Sequence, residues 1–267
     1  MTIKLGAQEN LLEGADLVEK FAFAQSVGLD GIELHGAGGG AFAERMDELR
    51  AARRAGVVIS SVCPILSHFI GDFDAERRRQ AVEDMKVLLS VVVEAGGFGA
   101  LTPAAFGLFS RRLPPFKPPR SEEEDREVLL EGLSALGRHA ANEGAVIMLE
   151  PLNRYEDHMV NSLAQAASLV RQVDLDNVAI MADTFHMSLE EVSPSASLRK
   201  FAPLVRHVHL GDSNRLEPGA GHYDWDGTLT ALDDIGYSGW MVMECGLSGP
   251  PAQVLPAASR LLRRAEK

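Results

Sequence analysis

The chain has 267 residues, 46% of them hydrophobic and 24% charged, with a formal net charge of −12. That balance suits a globular enzyme with a large core, and the excess of carboxylates argues against nucleic acid or an anionic membrane surface as a partner. The two cysteines, Cys63 and Cys245, form no CxxC pair and imply no disulfide framework. The opening MTIKLGAQENLLEG has no basic segment leading into an apolar one, and no run of about 18 apolar residues follows. A cytoplasmic protein is therefore expected.

Strand-like and helix-like segments alternate along the chain. Ile3–Leu5 reads as the first strand and Ala15–Val27 as its helix. Gly31–Leu34 is the second strand, followed by a helix over Phe42–Ala55, and Val57–Val62 is the third strand. Asp74–Ala95 places Val82, Met85, Leu88, Leu89 and Val92 near helical spacing. Phe98–Thr102 is a fourth strand. Ser121 then caps a helix, with Glu124 completing a capping box, that runs to about Asn142–Gly144. The remaining strands are Val146–Leu149, Val178–Ala182, Val205–Leu210 and Trp240–Met243, and a helix over Ala252–Glu266 closes the chain. Eight βα units without an interdomain linker predict one (β/α)8 TIM barrel, a single catalytic domain over residues 1–267. The Pro-rich stretch Arg111–Arg120 reads as a stiff surface loop or as a lid over the barrel mouth.

The most informative pattern lies at the ends of the last four strands. Glu150, Asp183, His209 and Glu244 each follow an apolar run, and they are separated by roughly one βα unit, about 25–35 residues. A barrel gathers the ends of its strands on one face, so the four converge. Taken singly, each is an ordinary capping or hydrogen-bonded residue. Together, three carboxylates and an imidazole without a cation would repel strongly. The set suits a hard divalent metal such as Mn²⁺, Mg²⁺ or Co²⁺. Glu156, His186 and Arg215 lie three to six residues past these ligands. A His and an Arg beside a bound cation would stabilise negative charge on a substrate oxygen. The structural alternatives are an ion pair of Arg215 with Asp212 or Glu217, one of Glu156 with Arg154, and a structural hydrogen bond for His186.

The segments EPLNRYEDHMVNS, MADTFHMSLEE, HVHLGDSNRLEPGAGHYDW and GYSGWMVMEC resemble the xylose-isomerase-like sugar isomerase/epimerase superfamily, and within it the D-tagatose and D-psicose (ketose) 3-epimerases. GLDGIELHG is the best match in the first half. The resemblance implies that Glu150, Asp183, His209 and Glu244 bind a divalent metal, commonly Mn²⁺. It also implies that Glu150 and Glu244 are the acid/base pair and that Glu156, His186 and Arg215 contact the sugar. It implies a small-molecule sugar substrate and a homo-oligomer, dimer or tetramer. The chemistry expected is inversion at C3 of a ketose. One glutamate takes the C3 proton of the metal-chelated sugar to give an enediolate, and the other returns a proton on the opposite face. A hydroxypyruvate or inosose isomerase, or an inosose dehydratase, is the alternative on the same site.

The match departs from the ketose 3-epimerases where they carry bulky aromatics, near the end of strand one and after the strand-eight glutamate. Here stand Gly6 and Gly246, so the pocket is expected to be wider, or filled by Phe106, Phe109 or Phe116. Cys63 is a candidate for the pocket wall, Glu33 and His35 for support of the ligands, and His222 for the mouth. A phosphorylated sugar would need Arg111, Arg112 or Lys117, the only clustered cations at the mouth.

Overall fold

A computed structural model of the chain describes residues 4–110 and 117–263. Eight parallel strands close in sequence order: β1 (Lys4–Gln8), β2 (Gly31–Ala37), β3 (Ile59–Ile65), β4 (Gly99–Pro103), β5 (Val146–Glu150), β6 (Val178–Asp183), β7 (Val205–Leu210) and β8 (Trp240–Met243), with β8 pairing back onto β1. Strands covered on both faces need apolar residues at nearly every position, and β6 (VAIMAD) is buried at all six.

Helices α1 (Leu17–Ser26), α2 (Ala41–Glu44), α3 (Met46–Arg54), α4 (Ala75–Ala95), α5 (Glu122–Glu143), α6 (Leu163–Val173), α7 (Thr184–Glu190), α8 (Pro194–Phe201), α9 (Trp225–Asp234) and α10 (Pro251–Leu262) accompany the strands. The main core, including Leu34, Val62, Leu88, Leu133 and Ile180, lies between strands and helices. Inside the barrel, Cys63, Leu101, Met148, Ala179 and Met181 form a separate apolar layer. Side chains two apart on a strand share a face. Met148 therefore sets Glu150 into the barrel mouth, and Met181 does the same for Asp183.

The Ser121–Glu124 capping box is present and starts α5. The helix expected over residues 42–55 is instead two, broken at Arg45. The Arg45 guanidinium reaches out of the helix line to Glu9, at 2.7 and 2.9 Å. The first strand runs on to Gln8 rather than stopping at Leu5, and the third is displaced toward Ile65. Both shifts lengthen the strands at the mouth. The expected end of the last helix beyond Arg263, and residues 111–116 of the Pro-rich loop with Arg111, Arg112 and Phe116, lie outside the described residues. At the loop's far end, Arg120 donates to the carbonyls of Gly71 and Asp72 and to Asp125, and lies over the Phe73 ring. Among the described residues no helix is long and apolar enough to cross a membrane.

Candidate functional site

Glu150 and Asp183 are the last residues of β5 and β6, His209 is paired in register with Asp183, and Glu244 follows β8 directly. One ligand atom from each of the four lies within 4.8 Å of the others, a span that a single divalent ion with ligands at about 2.0–2.4 Å bridges. The local chain arranges these atoms. Asp183 is the N-cap of α7, its Oδ1 accepting the N–H groups of Phe185 and His186 at 2.7 and 3.4 Å. Its other oxygen, Oδ2, is buried without a hydrogen-bond partner. A bare buried carboxylate oxygen costs free energy unless a proton or cation meets it, so the donor set fits a hard divalent ion.

His209 has a carboxylate at each nitrogen: Glu244 Oε2 is 3.2 Å from Nδ1 and Glu33 Oε1 is 2.8 Å from Nε2. Burial alone would lower its pKa, but Glu33 and Glu244 raise it well above the usual imidazole range. Glu150 moves up because it is buried and faces Glu244 and Asp183. Burial also opposes ionisation of Glu244, yet His209 and Arg215 outweigh it and hold that carboxyl below its ordinary value. Two carboxylates in one pocket are thus held in opposite directions by their neighbours.

The three expected substrate contacts surround this cluster. His186 Nδ1 accepts from the backbone N–H and side-chain amide of Asn153, at 3.1 and 2.9 Å. That leaves Nε2 to carry the ring proton, and it points to Glu150 Oε1 and Asp183 Oδ2 at 3.9 and 3.7 Å. Arg215 approaches Glu156, Glu244 and His186 at 3.5–3.6 Å and stacks over the Phe185 ring. Its backbone is left-handed, φ 58°, a conformation that persists in a non-glycine residue only when the surroundings impose it. The Arg215 N–H donates to the Asp212 carbonyl, and the Gly246 N–H donates to the Arg215 carbonyl, each at 2.8 Å. Among the described residues the alternative ion pairs do not form: Arg154 pairs with Glu190, not Glu156, Glu217 accepts from Ser248, and Asp212 is committed to its own loop.

Asp212 is fully buried and accepts from Ser213 N, Gly219 N, Tyr223 N and Trp225 Nε1 at 2.7–3.0 Å. It gathers the PGAGHYDW loop. A Cβ at Gly221 would meet its Oδ1 at 2.2 Å, so glycine is required there. His222 is exposed and bonded to Ser213 Oγ, a part of this loop and not of the cluster.

The mouth is a cavity of about 230 Å³. Glu150, Glu156, His186, Arg215 and Glu244 form its polar wall, and Ile65, Leu66, Phe69, Phe106 and Leu152 its apolar one. Cys63 lines it, with Sγ 3.5 Å from Glu244 Oε1. Phe106 is in the wall as expected, whereas Phe109 packs edge-on against His158. Neither Gly6 nor Gly246 is among the residues that line the cavity. A Cβ at buried Gly6 would stand 3.1 Å from the Gly31 carbonyl, a close approach of two strands, whereas Gly246 is exposed and a Cβ there would meet only the end of the Leu216 side chain, at 3.2 Å. The place by the cluster at the end of β1 is taken by Gln8, buried and bonded to Glu33 and Glu244. Glu33 supports His209 as the sequence suggested. His35 is bonded through its backbone N–H to Glu9, and no hydrogen bond of the described residues ties its ring to the four ligands. Gln8, Ser61, Asn153, His207 and Asp212 were missed. Their only local sign is a polar residue inside or just after an apolar strand.

The xylose isomerase-like TIM barrel family model matches residues 21–265, well beyond the segments that carry the resemblance. A 3-dehydro-D-guloside 4-epimerase from Escherichia coli (strain K12) is 36% identical over 243 residues, covering 91% of this chain and 92% of that protein. A D-psicose 3-epimerase from Enterocloster bolteae is 32% identical over 75% of this chain and 66% of its own length. Among solved structures, the apo 3-keto-D-glucoside 4-epimerase from E. coli superposes with a TM-score of 0.92 at 34% identity, over 98% of this chain and 99% of that one. A D-psicose 3-epimerase crystallised in the presence of D-fructose gives 0.75 at 26% identity, over 97% and 90%. This chain belongs to the xylose isomerase-like TIM barrel family and is an enzyme of the ketose 3-epimerase-like kind within it.

Proposed function

We propose that this enzyme is a divalent-metal-dependent epimerase that inverts the hydroxyl-bearing carbon next to a sugar ketone. The observation that carries the proposal is the convergence of Glu150, Asp183, His209 and Glu244 within 4.8 Å, with Asp183 Oδ2 buried and unpartnered. These four would hold the ion, Mn²⁺ by the resemblance. When bound, it supplies Lewis acidity to the ketone and so acidifies the neighbouring C–H.

The protein's own residues do the rest. Glu150, on β5, and Glu244, after β8, reach the cluster from strands separated by β6 and β7. One takes the proton from one face of the sugar and the other returns a proton to the opposite face, which inverts the centre. His186 holds its Nε2 proton toward the oxygen on which charge develops, with its tautomer set by Asn153. Arg215 adds positive charge there, held by its strained loop and the Phe185 ring. Glu156, with Oε2 buried and unpartnered, accepts from a substrate hydroxyl. A cytoplasmic homo-oligomer, with residues 1–267 as one catalytic domain, is part of the same reading.

Two substrate classes use this chemistry. In a ketose the ketone is C2 and the inverted carbon C3; in a 3-keto glycoside they are C3 and C4. The second is favoured by the relative that matches over nine-tenths of both chains. It is favoured too by the apolar ledge of Ile65 and Phe106, 54% and 52% exposed beside the cavity, which suits a bulkier glycoside. The test is incubation of Mn²⁺-loaded protein in D₂O with methyl 3-dehydro-D-glucoside, D-psicose and D-fructose, read by NMR. Deuterium at C4 of the epimerised glycoside is expected. Deuterium at C3 of the ketoses alone would select the ketose reading, and no exchange on either class would overturn the proposal.

A further inference from the structure

We infer that Glu33, with Gln8 beside it, is the positioning residue that presents His209 Nδ1 and Glu244 to the cation, a role that rests on the metal reading above. Glu33 sits on β2, outside the four ligands, and is fully buried. Its Oε1 accepts from His209 Nε2 at 2.8 Å and Gln8 Nε2 at 3.2 Å. Its Oε2 accepts from His207 Nε2 at 2.9 Å and Ser61 Oγ at 2.6 Å. A carboxylate has about four lone-pair sites, so four donors from β1, β3 and β7 fill it. With no acceptor capacity left, Glu33 has no part in proton transfer.

What this saturation achieves is the choice of nitrogen on His209. A carboxylate accepts only, so Nε2 keeps its proton toward Glu33, and Nδ1, 3.2 Å from Glu244 Oε2, is the nitrogen left to exchange its proton for the cation. The ring plane is held as well, edge-on to the His207 ring at 5.1 Å. Gln8 extends the support to a second ligand. One of its two amide hydrogens goes to Glu33 Oε1 and the other to Glu244 Oε1 at 3.0 Å, which turns Glu244 Oε2 toward His209.

Glu33, His207 and His209 also satisfy the spacing for a metal triad of their own. Their contacts decide against it. His209 Nε2 and His207 Nε2 meet the Glu33 oxygens at hydrogen-bond distances of 2.8 and 2.9 Å, and Gln8 and Ser61 fill its remaining lone pairs, so none is left for an ion. The triad is a hydrogen-bonded support beneath the site, and carboxylate–histidine pairs of this kind raise metal affinity by orienting the ligand and fixing its tautomer.

The experiment is a Mn²⁺ titration of the full chain, following the free aquo ion by EPR, beside thermal melting of the metal-free protein. Glu33→Gln places an amide N–H among donors and is expected to weaken Mn²⁺ binding about 10–100-fold. Unchanged Mn²⁺ affinity in folded Glu33→Gln, with only a lower Tm, would reduce Glu33 to a fold element and overturn the inference. Wild-type protein that binds no Mn²⁺ would instead sink the metal reading, and this role with it. Should Glu33→Gln fail to fold, wild-type protein loaded with Zn²⁺ gives the answer through long-range ¹H–¹⁵N correlations of the histidine rings. His209 protonated on Nε2 is expected, and a proton on Nδ1 would refute the assignment.

Discussion

The two halves of the barrel meet at one mouth but bring different chemistry to it. Strands β5–β8 supply the four clustered ligands and, through their loops, Glu156, His186 and Arg215. Strands β1–β3 supply no member of that cluster. They supply its support, Gln8, Glu33 and Ser61, and with β4 the apolar wall of Ile65, Leu66, Phe69 and Phe106. The contrast teaches that a site can be read from one half of a chain and still depend on the other. Reacting groups stand at strand ends, where the cavity opens, while their supports are buried beside or behind them.

The sharpest way to break this division is to empty the ligand half. Removing divalent ions with EDTA should lower epimerisation by more than about 10³-fold, with recovery on adding Mn²⁺; full turnover after chelation would remove the metal from the mechanism. Next come the proposed acid and base. Glu150→Gln and Glu244→Gln should each lower kcat by about 10²–10⁴-fold, measured as product formation and as solvent deuterium uptake. A variant that still exchanges deuterium but no longer inverts would identify which glutamate acts on which face.

The loop that carries Arg215 tests a third level, stability. Burial works against ionised Asp212, but Trp225 and the backbone N–H groups of Tyr223, Ser213 and Gly219 outweigh it and lower its pKa from 3.8 to about 2. A depressed acid contributes stability that is present above its unfolded pKa and is lost as pH falls through the folded one. The contribution of Asp212 should therefore hold above pH 3.8 and disappear toward pH 2. Asp212→Asn should cost about 1–3 kcal/mol at pH 7, with a shallower loss of stability on acidification, readable by denaturant unfolding across pH. The smallest effect belongs to the apolar wall. Phe106→Ala, at a half-exposed ring, should raise KM about 2–5-fold with kcat little changed, as expected for uniform binding. A larger fall in kcat than rise in KM would give the first half a share in the chemistry.

The eightfold alternation was legible because each βα unit announces itself locally, in an apolar run followed by a helical pattern and a cap such as Ser121–Glu124. So were Glu150, Asp183, His209 and Glu244, since an ionisable residue at the end of an apolar strand stands out against its neighbours. Other features were not. Gly6 and Gly246 read as gaps in a pocket wall, yet neither lines the cavity, and Gly6 admits the Gly31 carbonyl of the next strand. His222 sits in a motif-like loop, yet the residue that organises this loop is Asp212. The helix over residues 42–55 looked continuous because the Arg45–Glu9 pair that accompanies its break joins residues far apart in the chain.

The sequence by itself determined the barrel, its order and the four residues that cluster at its mouth, because those follow from the period of hydrophobicity and from charged residues placed at the ends of apolar runs. Only the tertiary structure decided which nitrogen of His209 faces the cluster, how Asn153 sets the His186 tautomer, and that Glu33 meets His209 and Gln8 meets Glu244. Hydrogen bonds act over about 3 Å between strands distant in the chain. No local pattern encodes which of several buried polar side chains will meet until the barrel has closed.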